Sequence, residues 1–292
     1  MSAGSFERWG GVGDKVMTRE GQQFRILCLG DVVGRPGRSA LKQRLRGLRA
    51  TLAADMVIVN AENASGGVGI DPESAREISH AGADILTLGD HTWQRREAAG
   101  WLESNSNLCI RPANYPTGAP GRGAVVWTSA DGFRIGVMNL LGRVFMNFPL
   151  DCPFRKADEL LAGPLADCDA VVCDIHAEAT SEKMALARYL TGRVALVFGT
   201  HTHVQTADHT ILGEGTAFMS DLGMCGPTDS VIGMDGETAL RRFLTGMPHA
   251  YKIGRGPVVL SGCVLSVARA SGRAVSIEPV REIVDLGGGA AE

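Results

Sequence analysis

From Phe24 onward, short apolar runs alternate with amphipathic helical patterns, and run after run stops on a polar residue. That alternation selects an α/β architecture, because the runs have strand length and the intervening patterns supply helices to cover sheets. Ile26-Leu27-Cys28-Leu29 ends at Gly30-Asp31, and after Pro36 the residues Leu41, Leu45, Leu48 and Leu52 share one helical face. Met56 to Val59 ends in Asn60-Ala61-Glu62-Asn63. Asp71-Pro72 has the form of an N-cap followed by proline at the first helical position. Asp84 to Leu88 then ends in Gly89-Asp90-His91.

The middle of the chain predicts a hairpin. Ala124 to Trp127 and Phe133 to Met138 flank Asp131-Gly132, with the second strand ending at Asn139. A helical stretch over 154–166 precedes Ala170 to Cys173, which stops at Asp174-Ile175-His176. A helix over 181–191 precedes Val194 to Phe198, which stops at Gly199-Thr200-His201-Thr202-His203. Alternation from Val258 to Ile277 around Ser271-Gly272 reads as a closing hairpin. No repeat or linker interrupts this order, so one domain is expected over 24–283, with a loose extension over 1–23 and a loose tail over 284–292. The first 23 residues are polar and glycine-rich, without the apolar stretch of a secretory signal, and Met17 offers an alternative start.

Composition excludes several classes. At 45% hydrophobic and 21% charged, the 292 residues can bury a large core, which excludes whole-chain disorder. No apolar run approaches the roughly 20 residues of a membrane span. Twenty-nine basic against 32 acidic side chains leave a net charge of -3 and no basic stripe, so neither a stable nucleic-acid partner nor a membrane surface is expected. The seven cysteines are odd in number and contain no CxxC pair. They read as reduced core thiols of a cytoplasmic protein, not as disulfides or a thiolate zinc site.

The polar strand endings carry the chemistry. Ligands in α/β sheets sit beyond the carboxyl ends of strands, where loops converge on one edge. Asp31, Glu62, Asn63, Asp90, His91, His176, His201 and His203 all fall at such endings. Each alone has a bland reading: Asp31 can cap a turn, Glu62-Asn63 can be a solvated loop, and a single buried histidine such as His176 is usually just hydrogen-bonded. The pair His201-x-His203 is stronger, because alternate positions of an extended segment point the same way. His80, His209 and His249 receive no role. The donors are carboxylate, amide and imidazole, which suit iron, manganese or zinc. They outnumber the shell of one tetrahedral ion, so two metals are expected. The glycine-rich stretches 30–37 and 65–69 match neither a P-loop nor a dinucleotide fingerprint. They are expected to carry backbone close past the metal cluster.

Eight segments taken together, GDVVGRPGR (30–38), NAENASGGVGI (60–70), TLGDHTW (87–93), RPANYP (111–116), NLLGRVF (139–145), DIHAEATSEK (174–183), GTHTHVQTAD (199–208) and SDLGMCGP (220–227), strongly resemble the YmdB-like family of bacterial metallophosphoesterases. The resemblance runs from Arg25 to Val280. It implies a four-layer α/β/β/α sandwich of the calcineurin-like type carrying two metal ions, iron foremost. It also implies hydrolysis of 2′,3′-cyclic and 3′,5′-cyclic nucleotides by a metal-bridging hydroxide. Asp31, Glu62, Asn63 and His203 would hold one ion, and Glu62, Asp90, His176 and His201 the other. His91 would be the general acid. Asn139 and Arg143, at the end of the hairpin strand, are expected to contact phosphate or nucleotide. This chain reads Gly89-Asp90-His91 where the family usually has asparagine before the histidine. Aspartate adds negative charge where phosphate must dock and cannot donate an N–H, so Asp90 is expected to lower turnover while keeping metal. Two rival readings stay open: a phosphomonoesterase or protein phosphatase, and a regulatory metal- and nucleotide-binding protein with weak hydrolysis. A homo-oligomer is an ordinary expectation for either.

Overall fold

The computed structural model describes residues 23–250 and 252–287, and in it the alternation of the sequence resolves into two sheets. Strands β1 (Gln23–Leu29), β2 (Asp31–Val32), β3 (Met56–Asn60), β4 (Ile85–Thr87) and β5 (Cys109–Ile110) begin the first sheet, with β1, β3, β4 and β5 parallel neighbours. Helices α1 (Gly34–Thr51), α2 (Pro72–Ala81) and α3 (Ala98–Ser104) connect them. The second sheet opens with the antiparallel hairpin of β6 (Ala124–Thr128) and β7 (Arg134–Leu141). It continues through α4 (Pro153–Ala162), β8 (Ala170–His176), α5 (Thr180–Tyr189), β9 (Leu196–Thr200), β10 (Thr210–Leu212) and β11 (Thr216–Met219). The chain then returns to the first sheet through β12 (Met224–Met234), α6 (Gly236–Thr245), β13 (Ile253–Ala268) and β14 (Arg273–Val284). The orders are β2-β12-β13-β1-β3-β4-β5, with β14 beside β13, and β10-β11-β9-β8-β7-β6.

Strand periodicity builds the layers. In β1, Phe24, Ile26 and Cys28 face the second sheet, where they pack with Val137, Val172 and Phe198. Leu27 and Leu29 point the other way, onto Leu41 and Leu45 of α1. Leu140, Ile175 and Val197 of the second sheet pack against Leu186 and Ala187 of α5. Helices therefore cover both outer faces and the two sheets pack on each other, the expected four-layer α/β/β/α sandwich. Register aligns the strand ends: Leu141 and Thr200 both pair with His176, so β7, β8 and β9 stop at one edge.

Asp71 caps α2 by accepting from Ser74 N at 2.8 Å, as its Asp-Pro signature predicts. Several boundaries differ. Helix α1 starts at Gly34, with Pro36 in the first turn, where a missing N–H costs nothing. Helix α4 stops at Ala162 because Gly163 follows, and β12 and α6 were not expected at all. Pro227, Asp229, Ser230 and Gly233 interrupt β12 and hide it from a periodicity reading. The expected tail is corrected at its start: Val284 belongs to β14 and is buried, and Leu286 packs on the core. Residues 1–22 and 288–292 of the two expected loose segments lie outside the described residues. No helix among the described residues is long and apolar enough to cross a membrane.

Candidate metal centre

The seven predicted ligands leave the ends of five strands, Glu62 and Asn63 both following β3 and His201 and His203 both following β9, and turn to the same edge. Glu62, in the turn after β3, is 1% exposed and held by Asn60 Oδ1, which accepts from Glu62 N at 3.1 Å. Its Oε2 accepts from His91 N at 3.2 Å and lies 3.2 Å from His176 Nε2, and its Oε1 accepts from Asn63 Nδ2 at 3.0 Å. Asp90 Oδ1, after β4, lies 3.0 Å from His176 Nε2 and 3.4 Å from His201 Nδ1. His176 Nε2 and His201 Nδ1 face each other at 3.0 Å. Ligand atoms of Glu62, Asp90, His176 and His201 all lie within 4.8 Å of one another.

Asp31, Asn63 and His203 adjoin this group. His203 Nε2 is 3.0 Å from Asn63 Nδ2 and 3.9 Å from Asp31 Oδ1. Asp31 is fully buried at the start of β2; its Oδ2 accepts from His201 N, while Oδ1 has no hydrogen-bond partner among the described residues. A buried carboxylate oxygen without a donor is costly unless a cation faces it. With opposed imidazole nitrogens and clustered carboxylates, it makes a donor set that fits metal ions.

The charges respond to this crowding. Burial pushes the Glu62 carboxyl up, but the His176 charge and hydrogen bonds from His176 and His91 win and hold it well below the usual carboxylate range. Asp90 is held low in the same way, by His176 and His201 against burial. Burial keeps Asp31 above its ordinary value, although His203 and His176 oppose the shift. His176 is held well above the usual imidazole range by Glu62 and Asp90, against burial.

Three outer contacts aim the ring nitrogens, and the sequence reading found none of them. Thr200 Oγ1 donates to Asp174 Oδ1 at 2.8 Å and so receives His176 Nδ1–H at 2.9 Å. The Ile232 carbonyl accepts from His203 Nδ1 at 2.8 Å. Glu178 Oε2 lies 3.2 Å from His201 Nε2. Thr200 Oγ1, its own proton given to Asp174, the Ile232 carbonyl and the Glu178 carboxylate each face one ring nitrogen as acceptors, which aims the other nitrogen of His176, His203 and His201 at the cluster. Asp174 and Glu178 stand two residues either side of His176 in DIHAE, the signal that would have found them. A buried pair, Lys183 Nζ to Asp221 Oδ2 at 2.8 Å, also fixes the histidine turn, since Asp221 Oδ2 accepts from Thr202 N at 3.0 Å.

Other expectations are corrected. His201 and His203 do not lie on an extended segment: their φ angles are 103° and 65°, and the turn, not strand alternation, brings both rings to the cluster. The glycine stretches do run beside the cluster, since 30–37 carries Asp31, Gly34 N donates to the Asn63 carbonyl at 2.9 Å and Gly67 lines the cavity next to Glu62 and His203, but their missing side chains make room for something else. Gly34 and Gly67 abut Ile253, and the glycine whose missing Cβ makes room for ligands is Gly89. A carbon added there would overlap Glu62 Oε2 and the His176 ring. Asn139 is fully buried within β7, which removes it from substrate contact. Arg143 is exposed on the turn after β7, its amide donating to Glu182. His91 stands beside the cluster at 29% side-chain exposure, with Nδ1 2.9 Å from Asn63 Oδ1.

The chain is similar to known proteins over most of its length. The chain is 44% identical over 257 residues to the 2′,3′-cyclic-nucleotide 2′-phosphodiesterase of Bacillus subtilis, covering 88% of this chain and 96% of that one. A solved structure of a hypothetical protein from Thermus thermophilus superposes with a TM-score of 0.83 at 42% identity, covering 89% of this chain and 100% of that one. A solved structure described as a novel phosphatase of Mycoplasma pneumoniae superposes with a TM-score of 0.84 at 34% identity, covering 90% and 94%. The model of the YmdB-like proteins matches residues 27–280, from β1 to within β14 and across every strand ending at the cluster, and the chain belongs to that family.

Proposed function

We propose that this protein hydrolyses 2′,3′-cyclic nucleotides, with 3′,5′-cyclic nucleotides as the wider substrate class, at a centre of two metal ions. Iron is the first choice, with manganese and zinc as alternatives for the same donors. One observation carries the reading: ligand atoms of Glu62, Asp90, His176 and His201 converge within 4.8 Å in a chain 44% identical to a 2′,3′-cyclic-nucleotide 2′-phosphodiesterase. Asp31, Glu62, Asn63 and His203 would hold one ion, and Glu62, Asp90, His176 and His201 the other. Two bound ions supply an activated water and neutralise charge on the phosphoryl oxygens. Water adds to phosphorus, the P–O2′ bond breaks, and a proton reaches O2′, giving a nucleoside 3′-phosphate.

His91 is the residue to supply that proton. Burial lowers its pKa, but the hydrogen bond and charge of Glu62, with the charge of Asp90, raise it above the ordinary imidazole value. Held above its ordinary value, the ring keeps its proton to higher pH and can release it to the leaving oxygen. Asn63 Oδ1 and Glu62 Oε1, at 2.9 and 3.3 Å from Nδ1, orient the ring.

The test is hydrolysis of 2′,3′-cyclic AMP beside p-nitrophenyl phosphate after anaerobic loading with Fe(II) or Mn(II). Metal-dependent cleavage of the cyclic diester above the monoester is the expected result. Monoester preference moves the protein to the phosphatase reading, which the Mycoplasma pneumoniae structure favours by its description. We place the reaction in the cytoplasm, in keeping with seven free thiols. Self-association belongs to the same reading, motivated by exposed Leu240, Phe243 and Leu244 on α6 and checked by sedimentation velocity.

A further inference from the structure

A cavity of about 320 Å³ opens over the cluster, with two unlike walls. One is the polar wall of Glu62, Asn63, His91, His201 and His203. The other is made of Val33, Ile232, Met234 and Ile253. Three aliphatic side chains and a thioether add nothing to a centre of carboxylate, amide and imidazole donors, and those left partly exposed cost hydration free energy until something apolar covers them.

The backbone is shaped to put them there. Gly34 and Gly67, from the two glycine stretches that match no nucleotide motif, both leave room for Ile253. A Cβ on Gly67 would sit 2.6 Å from Ile253 Cδ1, and one on Gly34 would sit 3.1 Å from it. Ile232, a β-branched residue, takes a φ of 48° inside the register-shifted part of β12 between Asp229 and Met234. A β-branched residue pays for that conformation, so it persists only where its surroundings impose it. The imposed contact is visible: its carbonyl receives His203 Nδ1–H at 2.8 Å. One residue thus belongs to both walls and sets the distance between them. At about 320 Å³ the volume lies at the lower end of ligand pockets, enough for one small organic molecule.

Resting on the phosphodiesterase reading above, we infer that this wall seats the nucleobase of the substrate while its phosphate lies on the metal side. An uncharged, flat ring system is the part of a cyclic nucleotide that gains from aliphatic contact. These four side chains offer no nitrogen or oxygen to a base edge, so they bind by area without reading base identity. Remote binding of this kind steadies the reacting diester against the cluster.

The test compares 2′,3′-cyclic AMP with glycerol 1,2-cyclic phosphate, a cyclic diester without a base, on metal-loaded full-length protein. At these partly exposed positions, Met234→Gln nearly conserves volume, and Ile253→Thr shortens the side chain by one carbon and matches the shape of valine. Each should raise KM for cyclic AMP about fourfold, the loss of roughly one buried methylene contact, with little change in kcat. In the double variant the ratio of kcat/KM for cyclic AMP to that for the base-free ester should fall at least tenfold. A ratio cancels any loss of folded protein, and Met234→Leu with Ile253→Val should restore most of it. An unchanged ratio in the double variant overturns the nucleobase seat while leaving the phosphodiesterase reading standing. Calorimetry gives an independent readout: adenosine 3′-phosphate should lose affinity relative to inorganic phosphate by a similar factor. If the wild type hydrolyses neither ester, the functional reading fails first. Absence of any preference for adenosine 3′-phosphate over inorganic phosphate then overturns the seat as well.

Discussion

Gly89→Ala isolates the geometry of the centre from its chemistry, because it removes no ligand and changes no charge. Gly89 does not use a left-handed φ, so alanine meets no backbone penalty there. Its Cβ, however, would fall inside contact distance of Glu62 Oε2 and of His176 Nε2 and Cδ2, whereas real Cβ contacts stay beyond 3.0 Å. Restoring an ordinary contact requires a shift of roughly 1 Å. Neither neighbour has room to give it: Glu62 is 1% exposed and bonded to His91 N, and the buried His176 ring is fixed by Thr200. A misplacement of about 1 Å costs on the order of 100-fold in rate, and the overpacking about 1–3 kcal/mol in stability. The assays are metal per chain by plasma mass spectrometry, kcat/KM on 2′,3′-cyclic AMP, and Tm after EDTA treatment. Gly100→Ala is the control, since an added Cβ in α3 meets nothing within 4 Å. Wild-type metal content and turnover in Gly89→Ala would refute the reasoning.

His91→Ala should lower kcat by roughly 100-fold or more and leave metal content intact, as for a lost general acid; unchanged turnover removes His91 from that role. Asp90→Asn should raise turnover and weaken metal retention, because the amide carries no charge against incoming phosphate. Equal kcat and equal metal content would defeat that account. Glu178→Ala frees His201 Nε2 and should weaken metal binding by about tenfold, the low end for such outer contacts because Glu178 is exposed; unchanged affinity in a metal titration counts against it. After EDTA treatment, Tm should fall as pH rises above about 6. Burial pushes Asp174 up to about 7, and His176 sits above its ordinary value through Glu62 and Asp90 against burial. The stability from protonated His176 is present below about 6.5 and lost as pH rises through its folded pKa, while the cost of ionising buried Asp174 grows up to about 7. The depressed Glu62 and Asp90 titrate far below this window. A rising Tm would refute the assignment.

Much of this molecule is legible in the sequence because two local codes agree. Apolar alternation sorts Phe24, Ile26 and Cys28 from Leu27 and Leu29, which already divides an inter-sheet core from a helix-facing one. The polar residues that end those runs mark the strand edge where a site must form, so Asp31, Glu62, Asp90 and His176 are found without tertiary information. What escapes is set by contacts between distant segments. Thr200 and Asp174 look like strand residues until register places them behind His176. Met224 to Met234 reads as loop because its interruptions are local, while its pairing with β13 is not.

The histidine turn shows the limit most clearly, since there the right residues came from a wrong premise. Spacing predicts that His201 and His203 share a side because a strand alternates; in the fold each takes a left-handed φ, as does Ile232. Such residues cost on the order of 1–3 kcal/mol apiece. The fold offsets that cost with His201 N on Asp31 Oδ2, Thr202 N on Asp221 Oδ2 and His203 Nδ1 on the Ile232 carbonyl. Every one of those partners lies far along the chain from the turn, so no local pattern could report the strain. The same three bonds hold the two imidazoles in place before any metal arrives, so the cost of arranging these ligands is met at folding.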